Sequence, residues 1–317
     1  MVSGKLRKPQ KKQYMFKKDY STITIGIPAY NEAANIEQLL TDVIQQDTGE
    51  NKIENIIVYS DGSDDETVKL SRSFKSKIIS VINSRDRKGK AVALNAIIKK
   101  SSSDILVLFD ADVRLFDKQF VKKLIEPIVT NKAELTSAKV LEFAPKNILQ
   151  RALKVSMDLK RNIFEDWNNG NNIYTCHGRA RALSKRFYSQ LYFPFSPSED
   201  AYSYLRCKEL KLKYSYVGTT AVYYYLPTTF ADHLKQSLRF LEHTNRFNNY
   251  FPKVCVDAEY NLPLSLKIKY ILKEVVIHPV DLILYVLIVM YIKIILLFSP
   301  AVDNQWEVAS TSKGLSQ

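Results

Sequence analysis

Two aspartates that are separated by one residue follow an apolar stretch in the first half of the chain. Residues 104–109 read DILVLF and run directly into Asp110-Ala111-Asp112. Side chains two positions apart point the same way on an extended chain, so both carboxylates face one crevice. Like charges this close repel unless a cation holds them, and Mg²⁺ or Mn²⁺ accepts carboxylate and diphosphate oxygens. Asp110 and Asp112 therefore predict a metal site suited to a nucleoside-diphosphate leaving group.

A D-x-D pattern alone is weak, because about one is expected by chance in a chain of this size and ordinary composition. Its weight comes from further motifs in a fixed order. These are P-A-Y-N-E at 28–32, S-D-G-S at 60–63, K-G-K at 88–90, S-E-D at 198–200 and Q-S-L-R-F at 236–240. The first two follow directly on predicted strands, which places them where a sheet would gather them.

The elements that must position these motifs alternate between strand and helix. Strands are predicted at 23–27, 55–59, 78–82 and 104–109, and helices at 32–46, 67–74 and 90–100. This alternation is typical of a parallel, doubly wound sheet, in which ligands bind at the carboxyl ends of the strands. The pattern then becomes less regular, with helices predicted at 147–165, 201–211, 232–247 and 264–277, and strands at 173–183 and 215–225.

The order and spacing of these motifs resemble those of the family-2 inverting glycosyltransferases with the GT-A fold, over about residues 20–250. The resemblance implies an α/β fold with a Rossmann-like, mostly parallel central sheet flanked by helices. It implies transfer of a hexosyl-type sugar from a nucleotide-diphosphate sugar, with Mg²⁺ or Mn²⁺ at Asp110 and Asp112. It assigns the nucleotide sugar to Pro28, Tyr30, Glu32, Asp61, Lys88, Lys90, Asp110 and Gln236.

The resemblance also assigns catalytic roles. Asp200 matches the family's general base, which takes the proton of the acceptor hydroxyl. Glu199 either orients the acceptor or is only a favourable charge at a helix start. Arg239 clamps the diphosphate, or is a basic residue of an interfacial helix. Lys88 and Lys90 offset phosphate charge, or belong to a solvated basic face.

Two positions depart from the family pattern. Ser60 stands where the first aspartate of D-D-G-S is usual, which alters the contact expected with the base. Phe240 replaces the common tryptophan, which leaves stacking on an acceptor sugar open. Cys176 beside His177 is a weak metal signal, since no cluster with ligand spacing follows. The three cysteines show no disulfide pattern, which fits a reducing compartment.

Residues 280–298 read VDLILYVLIVMYIKIILLF and predict a helix long and apolar enough to cross a bilayer. A buried core helix and a short interfacial hairpin are the alternatives. Lysines cluster before this segment, so the positive-inside rule predicts a single-pass protein of the cell membrane with a cytoplasmic catalytic domain. The basic residues before Asp19 are either a solvated tail or a clamp on anionic lipids.

The chain accordingly divides into a basic arm at 1–19, a GT-A domain at 20–228, amphipathic or interfacial helices at 229–278, a transmembrane helix at 279–300 and a tail at 301–317. The predicted partners are a nucleotide-diphosphate sugar, membrane lipids and a membrane-proximal acceptor, either a lipid-linked saccharide or a polysaccharide precursor. A processive polysaccharide synthase and a non-catalytic membrane adaptor are the alternative functions. The net charge of +13 also suggests nucleic acid, but no nucleic-acid motif is present, so none is predicted as a partner.

Overall fold

The computed structural model describes residues 20–195, 198–241 and 247–298, with the backbone alone at 238–241 and 296–298. The strands are β1 (Thr22–Ala29), β2 (Lys52–Asp61), β3 (Ile79–Ser84), β4 (Ile105–Phe109), β5 (Leu135–Glu142), β6 (Ala180–Ser184) and β7 (Tyr214–Tyr224). The helices are α1 (Ile36–Ile44), α2 (Thr67–Ser73), α3 (Lys90–Lys100), α4 (Phe120–Val129), α5 (Ile148–Asp166), α6 (Lys185–Tyr188), α7 (Glu199–Glu209), α8 (Phe230–Leu241), α9 (Lys253–Tyr260), α10 (Leu264–Ile277) and α11 (Pro279–Phe298).

The seven strands form one sheet in the order β3-β2-β1-β4-β6-β5-β7. β1 pairs in parallel with β2 and β4, β2 with β3, and β5 with β7. Only β6 runs against its neighbours β4 and β5. The α/β fold with a mostly parallel sheet is therefore confirmed, and its parallel half is the part in which strands and helices alternate along the sequence.

The sheet separates two apolar layers. Ile23, Ile25 and Ile27 of β1 face the layer that contains α1 and α4. On the other face, Leu106 and Leu108 of β4 pack with α3 and α7. Helix α3 lies so close to β1 that a Cβ at Gly26 would fall 2.5 Å from Ile97 Cγ2. Burial on both faces explains the continuous apolar runs of the central strands, and it fixes the strand ends relative to the first turn of α3.

The C-terminal helices α10 and α11 lie against α5. Lys269 Nζ is 2.8 Å from Asp166 Oδ2, and Arg151 Nη2 is 3.1 Å from Asp281 Oδ1. Many large apolar side chains of these two helices are nonetheless exposed, among them Leu264, Leu272, Val276, Val280, Ile283, Leu287 and Met290. Among the residues that the structure describes, no helix combines the length and the apolar content needed to cross a bilayer. The predicted transmembrane helix is therefore not supported.

Two other predicted elements differ from the structure. The strand predicted at 173–183 is a 3₁₀ turn, Ile173–Thr175, followed by the short strand β6. The reason is local, because the Asn172 side chain accepts a hydrogen bond from Tyr174 N at 3.1 Å and starts the turn. The helix predicted at 232–247 is α8 up to Leu241, and residues 242–246 lie outside the described chain. Strand β5 and helices α4 and α9 were not predicted.

Candidate functional site

The predicted metal pair lies at the carboxyl end of β4, in the middle of the sheet. Asp110 is anchored through its backbone, because its N–H donates to Arg179 O at 3.1 Å. Both aspartates are half-buried. Burial alone would raise the pKa of Asp110, but the Lys90 ammonium beside it holds that pKa below its usual range. Burial, together with the charge of Asp110, raises the pKa of Asp112. Asp110 therefore has a cation in direct contact, whereas no described ion pair compensates the charge of Asp112.

Lys90 connects the metal pair to the acceptor-side motif. Its Nζ is 2.6 Å from Asp110 Oδ1 and is also in contact with Glu199 Oε1. Burial would lower the pKa of this lysine, but the two carboxylates raise it well above the ordinary value. Lys90 opens α3 and Glu199 opens α7, so one ammonium ties the ends of two helices to the end of β4. The sequence placed Lys90 near the donor, and the structure adds its link to Glu199.

Asp61, at the end of β2, holds the loop that leads to Lys90. Its carboxylate accepts from Lys88 N at 2.8 Å and from Gly89 N at 2.7 Å. The next residue, Gly62, has a φ of +71°, and a Cβ there would fall 2.6 Å from Arg87 N. Only glycine permits so close an approach of the two loops. Asp61 therefore has a structural role, and its contact with a nucleobase stays a prediction.

The loops after β1 and β2 are joined by side-chain hydrogen bonds. Asn31 N donates to Ser63 Oγ at 3.1 Å, and Asn31 Oδ1 accepts from Asp64 N at 3.0 Å. Ser60 is buried, with its hydroxyl 2.9 Å from that of Ser63. The serine that replaces the family's aspartate thus contributes to the joint between the loops.

The other predicted residues of this region line the same edge of the sheet. Pro28 pairs with Tyr59 at the end of the β1–β2 ladder. The Arg87 guanidinium lies 4.0 Å above the centre of the Tyr30 ring. Glu32 is buried, and its carboxylate accepts from Asn35 Nδ2 at 2.7 Å. Tyr30 and Arg87 therefore pack together beside the strand ends, whereas the Glu32 carboxylate contacts Asn35, just before α1.

Asp200 lies on the other side of Lys90, in the first turn of α7. Its Oδ1 accepts from the Ser198 hydroxyl and from Ala201 N, and its Oδ2 accepts from Gly178 N at 3.2 Å. Burial alone would raise its pKa, but Arg181 and these hydrogen bonds together lower it. The carboxylate is therefore ionised at neutral pH, as a proton acceptor must be.

Two arginines of the site were not predicted from the sequence. Arg181 is fully buried on β6 and donates from Nη1 to Glu199 O at 2.9 Å and to Ser203 Oγ at 2.7 Å. Arg179 precedes β6, with its guanidinium 3.7 Å from the centre of the Tyr224 ring. An arginine just before a short apolar strand, and a second one two residues later within it, are the signal that sequence reasoning missed, because buried cations need anionic or aromatic partners.

The Q-S-L-R-F motif is not brought to the strand ends by any recorded contact of its described side chains. Gln236 is half-buried on α8, and the hydroxyl of its neighbour Ser237 contacts His233, at 2.9 Å to the carbonyl oxygen and 3.5 Å to Nε2. The side chain of Arg239 lies outside the described residues. Its role at the diphosphate stays a prediction.

The described residues contain no group of three or more histidine, cysteine or acidic side chains able to hold a metal ion. Asp110 and Asp112 are two carboxylates, and a magnesium ion in nucleotide sites is commonly held by one or two carboxylates together with substrate phosphates. Burial, together with the charge of Asp110, raises the pKa of Asp112, and a cation bound beside it would offset both effects. The pair therefore fits a metal ion shared with a diphosphate.

Comparison with known proteins agrees with this geometry. The family model described as "Glycosyl transferase family 2" matches residues 24–190, more than half of the chain. The chain therefore belongs to glycosyl transferase family 2, and it is a glycosyltransferase. The 4,4'-diaponeurosporenoate glycosyltransferase of Staphylococcus aureus (strain bovine RF122 / ET3-1) is 32% identical over 148 residues, 46% of this chain and 37% of that protein. The match thus spans little more than a third of that relative's length.

Solved structures share the fold at low identity. The mannosyltransferase PcManGT from Pyrobaculum calidifontis, in complex with GDP-Man and Mn²⁺, has a TM-score of 0.59 at 16% identity, over 82% of this chain and 76% of that one. Residues 1–349 of S. aureus TarS have a TM-score of 0.52 at 17% identity, over 74% and 68%. These likenesses show a GT-A-like α/β fold.

Proposed function

We propose that this glycosyltransferase moves a sugar from a nucleoside-diphosphate donor to an acceptor bound beside Asp200, with inversion at the anomeric carbon. The observation that carries the proposal is the pair Asp110 and Asp112 at the end of β4, joined through Lys90 to the helix that bears Asp200. PcManGT with GDP-Man and Mn²⁺, and TarS with UDP-GlcNAc, share the fold and support a nucleotide-sugar donor.

In this proposal, residues on the two sides of the crevice have different roles in binding and catalysis. The Tyr30–Arg87 pair and the loop held by Asp61 receive the nucleotide, on the side of β1 and β2. Asp110 and Asp112 would hold a divalent ion, which would stabilise the charge of the departing diphosphate. Asp200 accepts the proton of the acceptor hydroxyl as its oxygen attacks the anomeric carbon. Attack from the face opposite the diphosphate inverts the configuration.

The acceptor is membrane-proximal in this proposal. The exposed apolar side chains of α10 and α11 offer a surface to lipid, and lysines 267, 269 and 273 lie on the same segment. Basic residues beside an apolar face favour an anionic lipid surface. The chain then works at the cytoplasmic face of the cell membrane.

The test is release of nucleoside diphosphate from a panel of nucleotide sugars, in the presence of Mn²⁺, Mg²⁺ or EDTA. We expect turnover of at least one donor with a divalent ion, and loss of turnover in EDTA. Asp112→Asn should abolish it, because it removes a metal ligand. Asp257→Asn, an exposed change on α9, is the matched control and should retain turnover. Metal-independent release, or release that Asp112→Asn leaves intact, contradicts the proposal.

A further inference from the structure

Arg179 is a cation whose hydrogen-bonding capacity the described protein does not use. Its guanidinium carbon lies over the Tyr224 ring, 3.7 Å from the ring centre. No hydrogen bond or ion pair of its side chain with another described residue is recorded, and its buried Nε has no partner. Guanidinium carries five N–H donors in a fixed fork. Lys90, by contrast, directly contacts two carboxylates.

The surroundings of Arg179 keep it charged and fix its direction. Carboxylates at Asp112, Asp110 and Glu142 attract its charge without contacting it. The Tyr224 hydroxyl donates to Glu142 Oε1 at 3.4 Å, and Glu142 in turn pairs with Arg161. Tyr224 and Glu142 are both buried. The ring that carries the guanidinium is therefore held in place before any ligand arrives.

The position of Arg179 in the sheet separates it from the nucleotide loops. Those loops follow β1, β2 and β3, on one side of β4, whereas Arg179 precedes β6 and its platform Tyr224 ends β7, on the other side. Its carbonyl accepts from Asp110 N at 3.1 Å. Its neighbour Gly178 donates from N to Asp200 Oδ2 at 3.2 Å. Arg179 is thus next to both the metal pair and the proposed base, on the acceptor side.

We propose that Arg179 binds an anionic group, a carboxylate or a phosphate, on the acceptor. This inference rests on the proposed function, since it needs a donor on the opposite side of the metal pair. A planar guanidinium receives either anion through two parallel N–H···O bonds. The aromatic platform holds the fork in one plane and reduces the ordering needed on binding. The enzyme therefore selects acceptors that present an anion close to the attacking oxygen.

The experiment measures anion binding by calorimetry to the whole protein with Mn²⁺ and a saturating nucleoside diphosphate, UDP or GDP, so that the donor side is filled. The probes are octanoate, octyl phosphate, inorganic phosphate and the uncharged octanol. Each titration is repeated without nucleotide, so that the anion result stands even if no nucleotide binds and the proposed function fails. The variants are Arg179→Gln, which removes the charge, and Arg179→Lys, which keeps it without the fork.

Arg186→Gln is the control, because Arg186 is a surface arginine whose side chain is 71% exposed and pairs with Glu134. We expect Arg179→Gln to weaken octanoate or octyl phosphate binding at least tenfold, with Arg179→Lys intermediate and nucleotide affinity within threefold of wild type. The stronger of the two anions identifies the acceptor class.

Three kinds of result overturn the inference. The first is a lack of anion selectivity at Arg179: either the anion affinity is unchanged in Arg179→Gln, or octanol binds as tightly as octanoate. The second is an equal loss of nucleotide affinity, which would place Arg179 at the donor diphosphate. The third is inorganic phosphate bound more tightly than either alkyl anion, which would indicate a site for the free ion.

Discussion

Replacement of Lys90 by methionine tests whether its ammonium compensates the carboxylates at the proposed metal site. Lys90→Met keeps the length of the side chain and leaves Asp110 and Glu199 without their shared counter-ion. Breaking a buried ion pair costs about 3–5 kcal/mol. The Lys90 side chain remains 18% exposed, so we expect the lower end, about 3 kcal/mol. At about 2 °C per kcal/mol for a chain of this size, the Tm in EDTA should fall by about 6 °C.

The same variant should respond more strongly to metal. A dication at Asp110 and Asp112 supplies the charge that was removed, so Mn²⁺ with a nucleoside diphosphate should recover at least half of the lost Tm. Lys69→Met is the control, because Lys69 forms an exposed ion pair with Glu66 and such pairs contribute little to stability, so its Tm should stay close to that of wild type. Thermal unfolding with EDTA and with Mn²⁺ checks both. A Lys90→Met protein that melts within 2 °C of wild type in EDTA, on the scale above, or that loses the same amount with metal, would refute the reasoning.

Three further outcomes are expected. Asp200→Asn should lower turnover about 10²–10⁴-fold with donor affinity near wild type, measured by steady-state kinetics and calorimetry; more than about a tenth of wild-type turnover would exclude it as the base. Burial lowers the pKa of His177 and of His233 to about 4. As the pH falls, the unfolded chain therefore binds these protons before the folded protein does. The contribution of each neutral histidine to the free energy of unfolding should be complete above pH 6.5 and fall by about 1–3 kcal/mol toward pH 4. Urea unfolding across that range should show the loss, and His233→Asn should reduce it. Val276→Glu with Ile283→Glu should weaken binding to anionic vesicles at least tenfold in a sedimentation assay, as one lost apolar contact is worth about 1.5 kcal/mol; exposed Val254→Glu should not.

Continuous apolar runs, with glycine and proline at the ends of helices, explain why the parallel half of the sheet and its helices could be predicted from the sequence. Helix α3 begins after Gly89, and α10 lies between Pro263 and Pro279, so their predicted limits match the structure. Strand β5 offers no such signal. Its Thr136 and Ser137 are fully buried and donate hydroxyl hydrogens to Leu124 O at 2.8 Å and Thr175 O at 2.6 Å. Because those acceptors come from distant elements, a local pattern cannot reveal that these polar residues are in a core strand.

The residues of the candidate site also fall into two groups, those that could be predicted from the sequence and those that could not. Residues that follow parallel strands could be assigned, because parallel strands bring their carboxyl ends to one edge whatever the details of packing. Asp61 at the end of β2 and Lys90, which contacts Asp110 at the end of β4, are examples. Arg179 immediately precedes β6 and Arg181 lies on it, and β6 runs against β4, so both arginines come to the same edge from the start of a strand and not from its end. The strand rule does not cover that case, and only the tertiary arrangement reveals it.

The charges of the crevice indicate an order of binding. Lys90 already contacts Asp110, and Arg179 and Arg181 add two more cations around the metal pair. A bare dication would compete with Lys90 for Asp110 and approach positive charge, which would weaken its binding. A diphosphate bound together with the dication would bring counter-charge and supply further oxygen ligands. Metal and donor should therefore bind cooperatively. The acceptor anion at Arg179 would then bind more tightly, since a bound dication would offset the charge of Asp112 that otherwise repels it.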